Sequence, residues 1–204
     1  MRQLCIALPA FASLALSANA SFAAPAVIDS SYRATDGRRV QQCSTVVDAS
    51  VAQVWKAFTT DAGLTRWAVP VTHIDFRNGG IMESSYSLDG KIGVSDNIKN
   101  EIVAYLPERL LAMRNVHVPK GAPFNPALIA TIRTIFAFED LGNGKTRVTE
   151  SGVGYGEGAG YDSLYQTFRD GNAAEMVSLA RSFASGPVDW KAQAAKLNAA
   201  AGAH

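Results

Sequence analysis

The chain has 204 residues, of which 48% are hydrophobic, 9% aromatic and 18% charged, enough apolar material for one sizeable core and one domain. Lys plus Arg number 19 against 18 Asp plus Glu, and Arg2 is the only charge before Asp29, so a chain trimmed near residue 23 carries 18 of each. That balance excludes a broad electrostatic nucleic-acid footprint, and the aromatic content with a mean hydropathy near zero argues against disorder and against a multi-span membrane protein.

The first segment reads as an address. Residues 4–16, LCIALPAFASLAL, are mostly apolar and follow Met1-Arg2-Gln3, which is the length of a secretory h-region rather than of a membrane span. Small-x-small patterns at Ala18-Asn19-Ala20 and Ser21-Phe22-Ala23 supply cleavage sites. The expectation is a signal peptide over 1–23 and a periplasmic or secreted mature chain without a transmembrane segment. Cleavage removes Cys5 and leaves Cys43 with no intrachain disulfide partner. Cys43 is read as a half-buried strand residue, not a nucleophile.

Residues 24–37 form a polar lead-in ending at Asp36-Gly37, and the extended run 38–47 predicts a first strand. Ser50 is placed to cap a helix over 51–59, where Val51, Val54, Trp55 and Phe58 recur at helical spacing, and Asp61 to cap a short helix through Leu64 to Trp67. Pro70 ends helical propagation. Six more strands are predicted at 71–76, 81–88, 97–106, 109–116, 131–139 and 146–153. The turns Asn78-Gly79-Gly80, Asp89-Gly90, Pro107-Glu108 and Gly142-Asn143-Gly144 are short, so the strands run antiparallel.

The longer loop 119–126 is placed to border an opening. Glycines then alternate from Gly152 to Gly160 without matching a dinucleotide-binding pattern, which reads as a hinge. A long helix follows over 161–185, with Leu164, Phe168, Met176, Leu179, Ala180 and Phe183 as its apolar stripe and a kink or break expected at Gly171-Asn172. Gly186-Pro187 stops it, and 187–204 is expected to be a frayed helix or disordered tail. The fold class is therefore α+β: seven antiparallel strands, two short helices and a long C-terminal helix as the available cover, over 38–186.

Three stretches carry a resemblance. They are 46–59 (VVDASVAQVWKAFT) with Leu64-Thr65-Arg66-Trp67, then 102–110 (IVAYLPERL), then 136–142 (FAFEDLG) with 144–149 (GKTRVT). In order and spacing they resemble the helix-grip, START-like (SRPBCC) superfamily, and within it the branch named for activators of the heat-shock chaperone ATPase. The resemblance implies a curved sheet gripping the C-terminal helix, with a cavity between them that holds lipids, sterols, polyketides or aromatic molecules. Some members are cyclases or hydrolases, and no single catalytic motif is shared. An export signal separates this chain from a cytosolic chaperone, so that activity is not expected here.

The chemistry offered by the residues is sparse. His73, His117 and His204 fall in no metal-ligand spacing and no GxSxG elbow surrounds any Ser, so neither metal nor cofactor is expected. In the last strand Thr146, Val148 and Glu150 share a face, and Val148 turns that face inward. Glu150 then becomes a cavity carboxyl that orients a ligand or acts as acid or base, the alternative being a strand-end residue in solvent or paired with an Arg. If Met113 faces inward, Asn115 and His117 approach the cavity mouth; His117 is otherwise exposed or structurally bonded. Trp67, Tyr86, Phe124, Tyr155, Tyr161, Tyr165 and Phe168 are the aromatic candidates for ligand contact, against ordinary core packing.

The function these features favour is an exported binding protein for a small hydrophobic or amphipathic ligand. Two alternatives stay open. One is a cofactor-free cyclase, dehydratase or hydrolase using Glu150, His117 or Tyr161. The other is a protein-interaction module working through a surface.

Overall fold

The computed structural model describes residues 25–122 and 125–201; the predicted signal segment and Phe124 lie outside the described residues. Its core is an antiparallel sheet in which alternation dictates the inner face. Strand β3 (Arg39–Val47) buries Gln41, Cys43, Thr45 and Val47, and β9 (Lys145–Tyr155) buries Thr146, Val148 and Glu150. Between them in sequence lie β4 (Val71–Ile74), β5 (Ile81–Ser85), β6 (Ile98–Leu106), β7 (Leu110–His117) and β8 (Arg133–Gly142).

Two short strands precede these, β1 (Val27–Asp29) and β2 (Tyr32–Arg33), both paired with β3. The sheet thus has nine strands in the order β1-β3-β9-β8-β7-β6-β5-β4, with β2 beside β3. The predicted seven are all present. The lead-in adds two, because β3 would otherwise be an unpaired edge and Ser30 and Ser31 dock on Gln42.

Helix α1 (Val51–Thr59) starts at Ser50 with a capping box to Gln53 and lays Val54, Trp55, Ala57 and Phe58 on the sheet. The ring of Phe58 packs 4.8 Å from Phe136 and 4.9 Å from Trp67, centroid to centroid. Helix α2 (Asp61–Thr65) is capped by Thr60, not by Asp61 as expected; the Asp61 carboxylate instead accepts the Ile74 N–H of β4 at 2.8 Å. A single turn, α3 (Pro126–Ile129), follows the predicted loop.

Helix α4 (Ala159–Ser185) runs 27 residues without the expected break, about 40 Å at the standard rise. Asn172 is buried and donates to Gln41 Oε1 at 2.9 Å, which ties the helix to β3 where a kink was expected. Beside it, a Cβ on Gly171 would meet nothing within 4 Å, so this glycine leaves space instead of bending the helix.

The tail takes the helical one of its two expected forms. It forms α5 (Trp190–Ala201), held at its start by Asp189 Oδ1 on the Ala192 N–H and by the Trp190 indole on the Thr65 carbonyl at 2.7 Å. Strand β5 ends at Ser85, three residues short of the prediction, because the loop beyond folds around Glu83. Cys43, expected half-buried, is fully buried between β1 and β9.

Candidate functional site

Between the inner face of the sheet and α4 lies a cavity of about 310 Å³. An engineered void of about 150 Å³ holds benzene, so this one has room for about a dozen heavy atoms. Its end wall is Phe58 of α1 with Leu64 and Trp67 around α2. Met82 and Ser84 of β5 and Met113 and Asn115 of β7 form one side. Phe136 and Glu150 supply the floor, and Phe168, Gly171 and Glu175 of α4 form the roof.

Register explains the floor. Glu150 pairs with Cys43 on one side and Phe136 on the other, and Phe136 pairs with Leu111, so the carboxyl stands in an otherwise apolar row across four strands. Glu150 is 2% exposed and its Oε2 has no hydrogen-bond partner. Burial raises its pKa well above the carboxylate range, and Glu175 across the cavity raises it further. Burial likewise pushes Glu175 up to about 7. Neither group has a compensating cation among the causes of its shift. The two titrate as a pair. At neutral pH this pair retains proton occupancy that a solvated pair would lose.

Their influence marks the neighbours. Burial, then Glu150, pushes the Cys43 thiol up to about 12, so it is no nucleophile. Tyr86 is 62% exposed at the rim, yet its phenol is raised above the ordinary range first by Glu175, then by burial and Glu150. The ring therefore forms the rim, and the hydroxyl lies within electrostatic reach of both carboxyls.

Five of the sequence-predicted ligand contacts line this space: Trp67, Tyr86, Met113, Asn115 and Phe168. Trp67 is fixed by its indole N–H on the Ala57 carbonyl, and Asn115 by donation to Asn100 and two backbone carbonyls. Tyr155, Tyr161 and Tyr165 do not line it. They pack instead with Ile132 and Leu164 in a separate cluster at the start of α4, where Tyr155 stacks edge-on to Tyr165 at 5.0 Å. Tyr161 there shares a hydrogen bond with Thr131 Oγ1, and Arg39 covers Tyr165. This cluster lies further along β9, which stays paired with β8 to Val153 and with β3 to Tyr155. Gly154 has φ +100°, and a Cβ there would lie 2.2 Å from the Thr131 carbonyl, so only glycine lets the strand pass this close to the start of β8.

His117 is the second correction. Lys99 pairs with His117 while Asn100 pairs with Asn115, so Val116 is an unpaired bulge residue. A one-residue bulge reverses side-chain parity. The His117 ring is consequently off the cavity, with Nε2 on the Ser95 carbonyl at 2.8 Å. It cannot act together with Glu150.

Glu175 is the cavity carboxyl that sequence reading missed. It precedes Met176 and follows Phe168 by seven positions, which puts it on the inward stripe. A carboxyl on an apolar stripe was the available signal. Among the described residues no group of three or more His, Cys, Asp or Glu is placed to hold a metal, and no helix is long and apolar enough to cross a membrane.

A family model described as Activator of Hsp90 ATPase homolog 1-like protein matches residues 48–183. A search of curated proteins finds no match. Among solved structures the fold is similar to the Aha1 dimer from Colwellia psychrerythraea, at TM-score 0.56 and 16% identity over 72% of this chain and 97% of that one. It is also similar to CalU16 from Micromonospora echinospora, at TM-score 0.54 and 18% identity over 82% and 88% of the two chains.

Proposed function

The chain belongs to the Activator of Hsp90 ATPase homolog 1-like family, and from that premise we propose that it binds a small hydrophobic or amphipathic molecule between its sheet and α4. Family membership fixes the helix-grip fold, and activity has to come from the site. The observation that carries the reading is the cavity itself. Phe58, Trp67, Met82, Met113 and Phe136 offer apolar surface in a space of about 310 Å³, at the lower end of the usual range for ligand sites. The apolar N-terminal run with its small-x-small sites supports export before this binding takes place. An exported chain has no access to a cytosolic chaperone.

The test is native mass spectrometry before and after organic extraction, followed by titration of the extracted protein with an apolar probe, read by tryptophan emission. Trp67 lines the cavity, so binding changes its fluorescence. Thr134→Phe, which fills the cavity from the floor, is expected to weaken probe binding about tenfold or more while the circular dichroism spectrum is retained. Extracted protein that takes up no apolar probe overturns the reading.

A second reading is favoured by one observation: two carboxyls share a cavity that a carrier of purely apolar ligands would leave apolar. This is cofactor-free acid–base catalysis by Glu150 with Glu175, replacing the Glu150–His117 pairing that the bulge forbids. A carrier releases extracted ligand unchanged. A catalyst converts it, and loses that conversion in Glu175→Gln.

A further inference from the structure

The carboxyl pair is costly. Glu150 sits in a row of apolar side chains, 2% exposed, with Oε2 unpartnered, and Glu175 faces the same space from α4 with no salt bridge or hydrogen bond among the described residues. A buried carboxyl without a partner destabilises the fold, and a second one nearby adds to the cost. An anionic ligand such as a fatty acid would bring a third negative group. A neutral apolar ligand would leave both carboxyls as they are. A cation removes the mutual repulsion and gives Oε2 a donor.

Resting on the reading of the cavity as a ligand site, we propose that its ligand carries one positive charge on an apolar body, an alkyl or aryl ammonium, received by Glu150 from the sheet and Glu175 from the helix. The other groups around the pair do not compete for this role. Cys43 of β3, Tyr155 of β9 and Tyr86 at the rim are all raised above their ordinary values and neutral at physiological pH. Arg114 of β7 is bound to Glu101 through Nε at 2.8 Å, so no cation among the described residues satisfies the pair. The remaining wall, Trp67, Met113 and Phe168 among it, fits the apolar body.

Binding such a cation drives the pair to give up a proton, so affinity rises with pH. The experiment is isothermal titration of the extracted full chain with n-octylammonium and with 1-octanol, probes of matched shape that differ in charge, in buffers of different ionisation enthalpy. The ammonium is expected to bind about tenfold to a hundredfold tighter than the alcohol. Its affinity increases from about pH 6 to about pH 8 with about one proton released. Glu150→Gln and Glu175→Gln each bring the ratio of ammonium to alcohol affinity down to about one. Equal binding of the two probes, or a preference that survives both substitutions, overturns the charge selectivity and leaves the cavity reading standing. Binding of neither probe overturns both.

Discussion

Two glutamates on the same sheet, with three strands between them, meet opposite fates. Glu83 of β5 points away from the cavity, on the face opposite Met82 and Ser84, and is 8% exposed. Its Oε1 accepts the Gly93 N–H and the Asn97 amide, each at 2.6 Å, and Lys99 stands 3.3 Å from its other oxygen. Burial raises its pKa, but these donors outweigh burial and hold the carboxyl below its ordinary value of 4.5. Glu150 has no such donors, and burial and Glu175 drive it the other way. The difference separates a carboxyl that builds structure from one that waits for a partner. Donors convert burial from a cost into an anchor.

The two sites therefore impose opposite pH dependences. The stability contributed by Glu83 is present above 4.5 and lost as pH falls through its lowered pKa. That contributed by the cavity pair is full below 4.5 and lost as pH rises through the raised values, about 7 for Glu175.

The strongest break in this comparison is Glu83→Ala, which strands Gly93 N–H and the Asn97 amide beneath the loop 86–97. It is expected to cost about 3 kcal/mol in urea denaturation at neutral pH and to speed hydrogen exchange through that loop. A cost within error of zero would show the loop is held by other contacts. Glu150→Gln is expected to do the reverse, raising stability by about 1–2 kcal/mol near pH 8 and leaving it unchanged near pH 4. Wild-type melting temperature should fall between these pH values more steeply than that of the variant; parallel profiles would remove Glu150 from the titrating pair. The smallest effect belongs to Lys99→Met, about 0.5 kcal/mol or less, because Lys99 is 30% exposed. A loss as large as that of Glu83→Ala would make the cation, not the N–H donors, the anchor.

Much of the fold was legible along the chain, for local reasons. Ser50 and Gln53 box the first helix, Pro70 and the Gly-containing turns punctuate the strands, and period-two alternation offered an inward Glu150 as one of two readings. The misreadings share a cause. Val116 looks like any strand residue, yet its bulge reverses His117; Gly171 looks like a helix breaker, yet Asn172 beside it is tied to Gln41. Tyr155, Tyr161 and Tyr165 have the composition of a ligand wall and pack as a satellite core. Each outcome depends on a partner distant in sequence, which periodicity does not contain.

By itself the sequence determined the order of elements and the antiparallel connections, because each follows from spacing within a few residues; the helix-grip family came from a resemblance carried by three ordered stretches, and an inward Glu150 was one of two readings left open. Only the tertiary structure decided that the carboxyl has a counterpart. Glu150 and Glu175 lie on different elements, and they share a space because α4 stays continuous across the inner face of the sheet and leaves a gap at Gly171. Electrostatic coupling depends on through-space distance and local dielectric, and the packing of helix on sheet sets both.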